Sequence, residues 1–475
     1  MSHLSRLLTS ITLVFSMSVS ADPIVLPDMG DSSATEISSA QEINLGEGLM
    51  RFLRQNNLIE TDPVIQSYIH SLGYQLVANS DESSQPFTFF VVRDNTINAF
   101  AAPGGFIGIH AGLILTSEDE SELAAVIAHE IAHITQRHMA RTIEQANKHR
   151  LTTGIALLAA ILLGQDVEQL TEAAISTSIA ANAQIQIDFT RAHEKEADFI
   201  GIQTLANTGF DPEGMPRFFE RMQKASRLFG RELPEFLSTH PVTVNRIAES
   251  RNRARKLKVT QDQAHDLYKV IKARLRIQST ERIKQFIDEY KKSDEKDTDN
   301  SAYLYTMAIA NLKAGLPEQA LKYITPLTTK QPENMHYRLT EAAIRQNSKR
   351  PESAHQIYKK LSRLYPYSYP ITFYYTTFLL SEEKNQQAYT LLLDYSRNRN
   401  VDAQLLKLMS LAASKTNKTA EAYLYLAEHD FLNGRTRQAI RHLDTAAKQK
   451  DTDYYLSSKI EARLKDYKQI AKLEK

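Results

Sequence analysis

The 475-residue sequence contains no cysteine, which excludes a disulfide framework, a thiolate metal site and a cysteine nucleophile. A metal site would therefore have to use histidine and carboxylate side chains. Glycine and proline are scarce, at 16 and 15 residues, and so few helix breakers favour long helices over a turn-rich β fold. With 42% hydrophobic and 24% charged residues, the composition excludes both a multi-span membrane protein and a disordered chain.

Charge is distributed unevenly along the chain, although the formal net charge is only +1. Residues 22–264 sum to −11, whereas residues 265–475 sum to +11. Opposite signs suggest two domains that attract each other. A compositional drift without structural consequence is the alternative.

The N-terminal residues 1–21 are typical of a secretory signal peptide. Arg6 is followed by an apolar stretch, Leu7–Val19, and then by small residues. The stretch is short and rich in serine and threonine for a membrane span, and an uncleaved anchor is the alternative. Residues 22–41 are polar and predict a flexible leader. Export without cysteine fits a bacterial periplasm, which is the predicted location.

The segments after the leader predict a mixed domain over residues 42–258. A helical pattern runs through residues 42–80, and β-rich segments follow at Pro86–Val92 and Phe100–His110. Ser117-x-x-Glu120 reads as a capping box that opens a long helix.

Leu151–Gly164 is almost wholly apolar, but at 14 residues it is too short to span a bilayer. A buried helix is the prediction. A helix that contacts a membrane surface or covers an active site is the alternative.

Small residues recur at a spacing of 34 in the C-terminal region, residues 265–475. Ala308, Ala320 and Pro332 are followed by Ala342, Ala354 and Pro366, then Thr376, Ala388 and Asn400, with a further pair at Ala427 and Ala439. The offset of that last pair predicts one extra helix near residues 403–417. The pattern resembles a tetratricopeptide repeat (TPR) array, an α-solenoid with a concave binding surface. An irregular helical bundle is the alternative.

His129-Glu130-Ile131-Ala132-His133 is an H-E-x-x-H motif on the predicted long helix. Four residues turn about 400° on an α-helix, so both imidazoles project from one face. Both can bind one Zn²⁺ ion, while Glu130 lies beside the open coordination position as a general base.

A zinc hydrolase site needs a third protein ligand, and Glu194 is the candidate. Asp198 lies one helical turn further and can accept the free ring N–H of a metal-bound histidine. The alternative is that both acids are solvated. Glu196 points to another side of the helix and is the weaker candidate.

Three further histidines have weaker signals. His240 lies in a predicted loop and could donate to an oxyanion, occupy the fourth metal position and keep the enzyme latent, or simply face solvent. His138 is turned away from the metal-binding face and predicts a supporting or structural role. His193 is predicted to be solvated.

Several motifs occur together and in order. They are Asn98-Ala99-Phe100-Ala101-Ala102-Pro103-Gly104-Gly105, Glu122-Leu123 before H-E-x-x-H with Arg137-His138, Glu194 with Asp198, and His240-Pro241 with Arg246. The set resembles the zinc metallopeptidase family that includes the CAAX prenyl endopeptidases and the heat-shock membrane protease of bacteria. This resemblance implies His129, His133 and Glu194 as ligands of one Zn²⁺ per subunit, Glu130 as the base, and His240 at the active site.

The resemblance, taken with export and the TPR tail, also implies a role. That role is quality control of unfolded or stalled outer-membrane β-barrel proteins and of the lipopolysaccharide-insertion machinery, with the TPR array docking on the barrel-assembly complex. No nucleic-acid partner is predicted. Residues near Asn98–Phe100 and Phe106–His110 could pair with an extended substrate by β-augmentation.

The predicted fold is mainly α with a small β-sheet: an α+β zincin-type metallopeptidase domain followed by an α-solenoid of TPR repeats. The predicted function is that of an exported zinc endopeptidase. A TPR chaperone or adaptor with a mostly latent protease domain is one alternative, and a zinc hydrolase of non-peptide substrates is another.

Overall fold

The computed structural model describes residues 38–80, 85–139, 141, 191–229, 235–257, 266–292 and 300–473. The predicted signal peptide, most of the leader and the apolar segment Leu151–Gly164 lie outside the described residues. No helix among the described residues is both long enough and apolar enough to cross a membrane.

The N-terminal part combines eight helices with three short strands in the described residues. They are α1 (Ser39–Gln55), α2 (Pro63–Val77), β1 (Thr88–Val92), β2 (Ala99–Ala102), β3 (Phe106–His110), α3 (Ala111–Thr116), α4 (Glu120–Thr135), α5 (Arg191–Asn207), α6 (Gly214–Phe229), α7 (Glu235–Thr239) and α8 (Val244–Ala254).

The three strands form one sheet in the order β1-β3-β2. Strand β3 is parallel to β1 and antiparallel to β2. The prediction that Phe106–His110 offers a free edge is therefore wrong, because both sides of β3 are already paired. The open edge belongs to β2, which packs beside α4.

Helix α4 begins two residues later than a capping box at Ser117 would place it. The N-cap is Asp119, whose carboxylate accepts a hydrogen bond from the Glu122 N–H at 3.0 Å. Ser117 instead ends α3, where its hydroxyl donates to the Leu113 carbonyl. The predicted capping box is wrong because the sequence shows no sign of the short helix that uses the serine.

The C-terminal part is entirely helical in the described residues. It contains α9 (Asp266–Ser279), α10 (Ile283–Tyr290), α11 (Ser301–Lys313), α12 (Pro317–Lys330), α13 (Met335–Asn347), α14 (Pro351–Leu364), α15 (Tyr369–Ser381), α16 (Asn385–Asn398), α17 (Ala403–Lys415), α18 (Thr419–Leu432), α19 (Thr436–Ala446) and α20 (Tyr454–Leu473).

Four two-helix units repeat with a strict period of 34 residues. The first helices begin at residues 301, 335, 369 and 403, and the second helices at 317, 351, 385 and 419. The helix at Ala403–Lys415 is therefore half of a regular fourth unit and not an extra insertion. In that unit Ser410 and Ala422 occupy the small-residue positions, and the Ser410 hydroxyl donates to the Ala422 carbonyl at 2.8 Å.

The Ala427 and Ala439 pair joins α18 to the following helix, α19. Both alanines are fully buried. Each helix of a solenoid packs against the helix before it and the helix after it, so α18 needs small residues for both contacts. This double requirement explains the shifted offset. The predicted fold class, mainly α with a small sheet and a helical solenoid, is confirmed.

The turns inside the four units share one backbone conformation. Gly315, Lys349, Glu383 and Asn417 follow one another at intervals of 34 residues, and each has a φ between 56° and 73°. A left-handed residue at this place is a common way to end an α-helix, and glycine adopts it without steric cost. Only the first of the four turns carries a glycine, so glycine alone would not have located the repeat.

A buried ion pair connects the two parts of the molecule. Asp62 caps the start of α2, and its carboxylate accepts hydrogen bonds from the Arg274 guanidinium at 2.5–3.0 Å. The same guanidinium donates to the Tyr305 and Tyr374 hydroxyls of the solenoid. Around it a single apolar cluster continues from α2 into the solenoid. The predicted attraction between the two halves is thus expressed here as one buried contact.

Replacing Arg274 with methionine should lower the free energy of unfolding by about 3–5 kcal/mol, because it leaves the Asp62 carboxylate buried beside an uncharged side chain. Arg350→Met is the matched control, since Arg350 pairs with Glu318 on the exposed surface and should contribute about 0–1 kcal/mol. Urea denaturation followed by circular dichroism measures both. Equal losses in the two variants would contradict the structural role of the buried pair.

Candidate metal centre

Four side chains that are distant in sequence converge in the interior. His129, His133, Glu194 and His240 each offer one ligand atom, and these atoms all lie within 4.8 Å of one another. All four residues are buried. The structure thus brings together the whole set that the sequence predicted for the metal and its open position.

Helices α4 and α5 supply three of the four. His129 and His133 lie one turn apart on α4, with their Nε2 atoms 3.0 Å apart. Glu194 lies in the first turn of α5, with Oε1 3.4 Å from His133 Nε2 and Oε2 3.6 Å from His129 Nε2. The two helices lie close together at Gly201, where a Cβ atom would come within 3.1 Å of the His129 backbone nitrogen.

The spacing of the donor atoms matches the coordination sphere of one small ion. A tetrahedral ion with bonds of about 2.0–2.1 Å holds neighbouring ligand atoms about 3.3–3.4 Å apart. The separations within the group run from 3.0 to 3.6 Å. Imidazole nitrogens and a carboxylate oxygen are a typical donor set for a divalent metal. The group can therefore hold one metal ion.

Arg246, at the start of α8, holds the carboxylates that surround the histidines. Its guanidinium donates to both Asp198 oxygens at 2.8 Å and lies 2.8 Å from Glu194 Oε2. Asp198 Oδ1 in turn lies 3.0 Å from His129 Nδ1. Asp198 thus contacts the ring nitrogen opposite the metal-facing one, as predicted. The sequence gave Arg246 no separate role.

The electrostatic environment favours a cation between the histidines. Burial opposes a charge on His129, but Asp198 and Glu194 raise the pKa of His129 to about 10. Burial and the neighbouring His129 lower the pKa of His133 to about 3. Although burial opposes it, the nearby histidines hold the pKa of Glu194 well below its usual range. A positive charge is therefore attracted to this cluster, whereas a proton on each ring is excluded.

Glu130 lies on the side of the cluster that faces the sheet. Its carboxylate accepts a hydrogen bond from the Ala101 N–H of β2, and Oε1 lies 3.4 Å from His240 Nε2. Burial raises the pKa of Glu130 above its ordinary value, and His240 partly opposes this. A buried carboxylate with a raised pKa is suited to accept a proton near neutral pH.

His240 is only 2% exposed, so the alternative of a solvated loop histidine is wrong. Its Nδ1 lies 3.3 Å from His129 Nε2 and 3.1 Å from Glu194 Oε1. Its ring stacks on Phe236 of α7, with centroids 4.9 Å apart. The side chain therefore lies among the ligand atoms and not merely near them.

The predicted edge-strand residues need a correction. The Asn98 carbonyl accepts from the His110 N–H, and Phe100 is in register with Gly108. Because inward and outward backbone groups alternate along an antiparallel strand, Asn98 and Phe100 use their backbone groups to bind β3. The backbone groups of Ala99 and Ala101 point to the open edge instead. Sequence alternation alone cannot show which set points outward.

Three residues beside the centre were only partly anticipated. His138 is fully buried and its Nδ1 lies 2.8 Å from His133 Nδ1, so it is outside the ligand group, as predicted, but contacts a member of it. His193 is buried and stacks on His138, so the prediction that it is solvated is wrong. Glu196 is outside the ligand group and lies 3.1 Å from His138 Nε2.

Replacing Arg246 with lysine should lower the free energy of unfolding of the metal-free protein by about 1.5–3 kcal/mol. An ammonium group cannot reach both carboxylates at once in the way the planar guanidinium does. Arg251→Lys is the matched control, because its pair with Glu220 is one-third exposed and should change stability by less than about 1 kcal/mol. Denaturation in the presence of a chelator measures both, and an unchanged Arg246→Lys variant would contradict the assignment.

Comparison with known proteins identifies the family. Residues 63–254 match peptidase family M48, a range that lies within the predicted domain 42–258. The beta-barrel assembly-enhancing protease of Escherichia coli O157:H7 is 33% identical over 451 residues, which cover 94% of this chain and 91% of that protein. A Vibrio cholerae protein provisionally given the same name is 34% identical over 448 residues, 93% and 92% of the two chains.

A more distant relative shares only the peptidase part. A mitochondrial metalloendopeptidase of Schizosaccharomyces pombe is 34% identical over 180 residues, which cover 38% of this chain and half of that protein. The long matches span the solenoid as well, and the short one does not. The chain is a metalloendopeptidase of family M48 and belongs to the beta-barrel assembly-enhancing proteases.

Proposed function

We propose that this protein is a zinc endopeptidase in which His129, His133 and Glu194 bind the metal and Glu130 is the general base. One observation carries the proposal: the donor atoms of the three ligands meet within the reach of one ion, and the Glu130 carboxylate lies beside them. Two imidazoles and one carboxylate are the usual protein ligands of a catalytic zinc, which keeps a further position for water or substrate.

Zinc, when bound, supplies a Lewis acid that makes water nucleophilic at neutral pH and polarises the substrate carbonyl. Glu130 takes the proton from the attacking water as the new carbon–oxygen bond forms. The same carboxyl group then gives that proton to the amide nitrogen as the peptide bond breaks. Asp198 holds His129 with its proton on Nδ1, and the Ala101 N–H keeps the Glu130 carboxylate aimed at the centre.

Glu130→Gln should retain stoichiometric zinc and the fold but lose cleavage of an unfolded β-barrel protein by at least about 100-fold, the usual contribution of a general base. Glu249→Gln is the matched control, because Glu249 pairs with Lys195 on the exposed surface. Zinc content is measured by atomic absorption and cleavage by gel electrophoresis. Cleavage by Glu130→Gln at the rate of the wild type would rule out this mechanism.

The described structure supports a latent state of the enzyme. His240 Nδ1 lies among the ligand atoms, where it would take the position that water or substrate needs. The neighbouring Phe236 N–H donates to the Ile97 carbonyl at the start of the open sheet edge. The segment from Phe236 to His240 therefore occupies both places where an extended peptide would bind. Of the two active-site roles predicted for His240, this arrangement favours the latch over an oxyanion donor.

His240→Ala should cleave an unfolded β-barrel protein about tenfold faster than the wild type if the closed form holds about 90% of the molecules. Thr239→Ala, a change at the adjacent position outside the ligand group, should leave the rate unchanged. Initial rates at saturating zinc provide the comparison. Loss of activity in His240→Ala would instead assign the side chain to the transition state.

The names of the relatives point to a physiological role. We infer that the protein acts in the periplasm, on unfolded or stalled outer-membrane β-barrel proteins, after removal of a signal peptide at residues 1–21. The solenoid, whose 34-residue period is that of TPR repeats, would dock on the substrate, the barrel-assembly complex or the lipopolysaccharide-insertion machinery. A contact of Leu151–Gly164 with a membrane surface is compatible with this role.

The same Glu130→Gln variant separates the protease from the adaptor. In cells that lack the gene, the wild-type protein should restore the level of assembled barrel proteins and remove stalled ones, whereas the variant should fail to remove them. Full rescue by the variant would favour the TPR chaperone with a latent protease domain. Bound zinc without cleavage of any unfolded protein would favour a hydrolase of non-peptide substrates.

A further inference from the structure

His133 has a second histidine behind it. His138 Nδ1 lies 2.8 Å from His133 Nδ1, and the His138 side chain is fully buried. Two ring nitrogens at this distance share one proton, so one of them donates and the other accepts. His133 Nε2 faces the other donor atoms, 3.0 Å from His129 Nε2. If Nε2 is to bind a metal, the shared proton must belong to His133 Nδ1, and His138 must accept it.

The third member of the arrangement is Glu196. A neutral His138 that accepts at Nδ1 carries its proton on Nε2. That nitrogen lies 3.1 Å from Glu196 Oε2, and the same oxygen also accepts from the Arg141 guanidinium at 3.4 Å. The donors and acceptors thus run in one direction, from His133 to His138 to Glu196.

The backbone is bent to make this contact. Five residues along an unbroken helix turn by about 500°, which would place His138 about 140° away from His133. Helix α4 ends at Thr135, and Arg137 adopts a left-handed conformation with φ of 52°. A non-glycine residue pays about 1–2 kcal/mol for that conformation. The turn brings the His138 ring against His133, and His193 of α5 stacks on its other face at 4.4 Å.

We propose that His138 and Glu196 form a relay that holds His133 in the tautomer with its proton on Nδ1 and so keeps Nε2 available to the metal. The relay rests on the proposed zinc site. It complements the contact at His129, whose Nδ1 faces the Asp198 carboxylate directly. His138 and Glu196 are positioning residues, because they act through His133 and do not touch the reacting atoms.

The test compares two substitutions of His138 in the full chain. His138→Leu removes the acceptor, whereas His138→Asn places an amide oxygen near the position of Nδ1. His138→Leu should raise the Kd for Zn²⁺ by about 10–100-fold, the usual effect of losing such a partner. His138→Asn should restore most of the affinity, and Glu196→Ala should give an intermediate loss. Lys195→Ala, with an exposed side chain between Glu194 and Glu196, should match the wild type.

Affinity is measured by competition with a chromophoric chelator, and the visible spectrum of the Co²⁺ form reports the ligand geometry. Equal losses in His138→Leu and His138→Asn would overturn the relay, since the site would then need only the bulk of an imidazole. Wild-type affinity in His138→Leu would also overturn it. Both results are independent of proteolysis, so they are distinct from a failure of the proposed function, in which the wild-type protein would bind no zinc or cleave nothing.

Discussion

The bridge that Arg246 makes between Glu194 and Asp198 is the contact on which the metal centre depends. The two carboxylates lie one turn apart on α5 and are both buried. Burying an unpaired carboxylate costs several kcal/mol, and two adjacent ones would also repel each other. The guanidinium binds both oxygens of Asp198 and contacts Glu194. It therefore allows one acid to face the metal position while the other holds His129.

Close packing of α4 and α5 makes that arrangement rigid. Almost every residue of α4 is buried, and the alanines at positions 125, 128 and 132 leave room for a second helix. Gly201 of α5 lies against the backbone of His129, where any side chain would push the two helices apart. Water is excluded from such an interface, so each charged hydrogen bond is stronger than it would be at the surface. Packing and electrostatics thus support each other at the centre.

The sequence predicts best what depends on local helical geometry. His129 and His133 are four residues apart, as are Glu194 and Asp198, and one helical turn fixes which side chains share a face. The period of 34 residues is equally local, and it survives where alanine is replaced, as at Thr376. Each unit repeats the same packing problem, which explains why a few small residues reveal the solenoid.

The features that sequence reasoning missed depend on contacts between distant segments. His193 looks polar and exposed along α5, and it is buried only because the turn after α4 brings His138 against it. The orientation of β2 depends on its pairing with β3, which decides that Ala99 and Ala101 face outward. Arg246 lies 48 residues from Asp198, so no local pattern joins them. In each case the partner is set by tertiary structure and not by spacing.

The latch and the substrate would compete for the same groups. The Phe236 N–H uses the Ile97 carbonyl, and its ring packs on His240, so the contact at the sheet edge and the contact at the metal position lie within five residues. A peptide that pairs with β2 must displace the first contact, and this removes the stacking support of the second. Arg246 donates to the Pro241 carbonyl directly after the latch, so the segment can leave while the bridge to Asp198 stays in place. Opening therefore need not disturb the ligands, because the same arginine that holds the centre also marks where the latch ends.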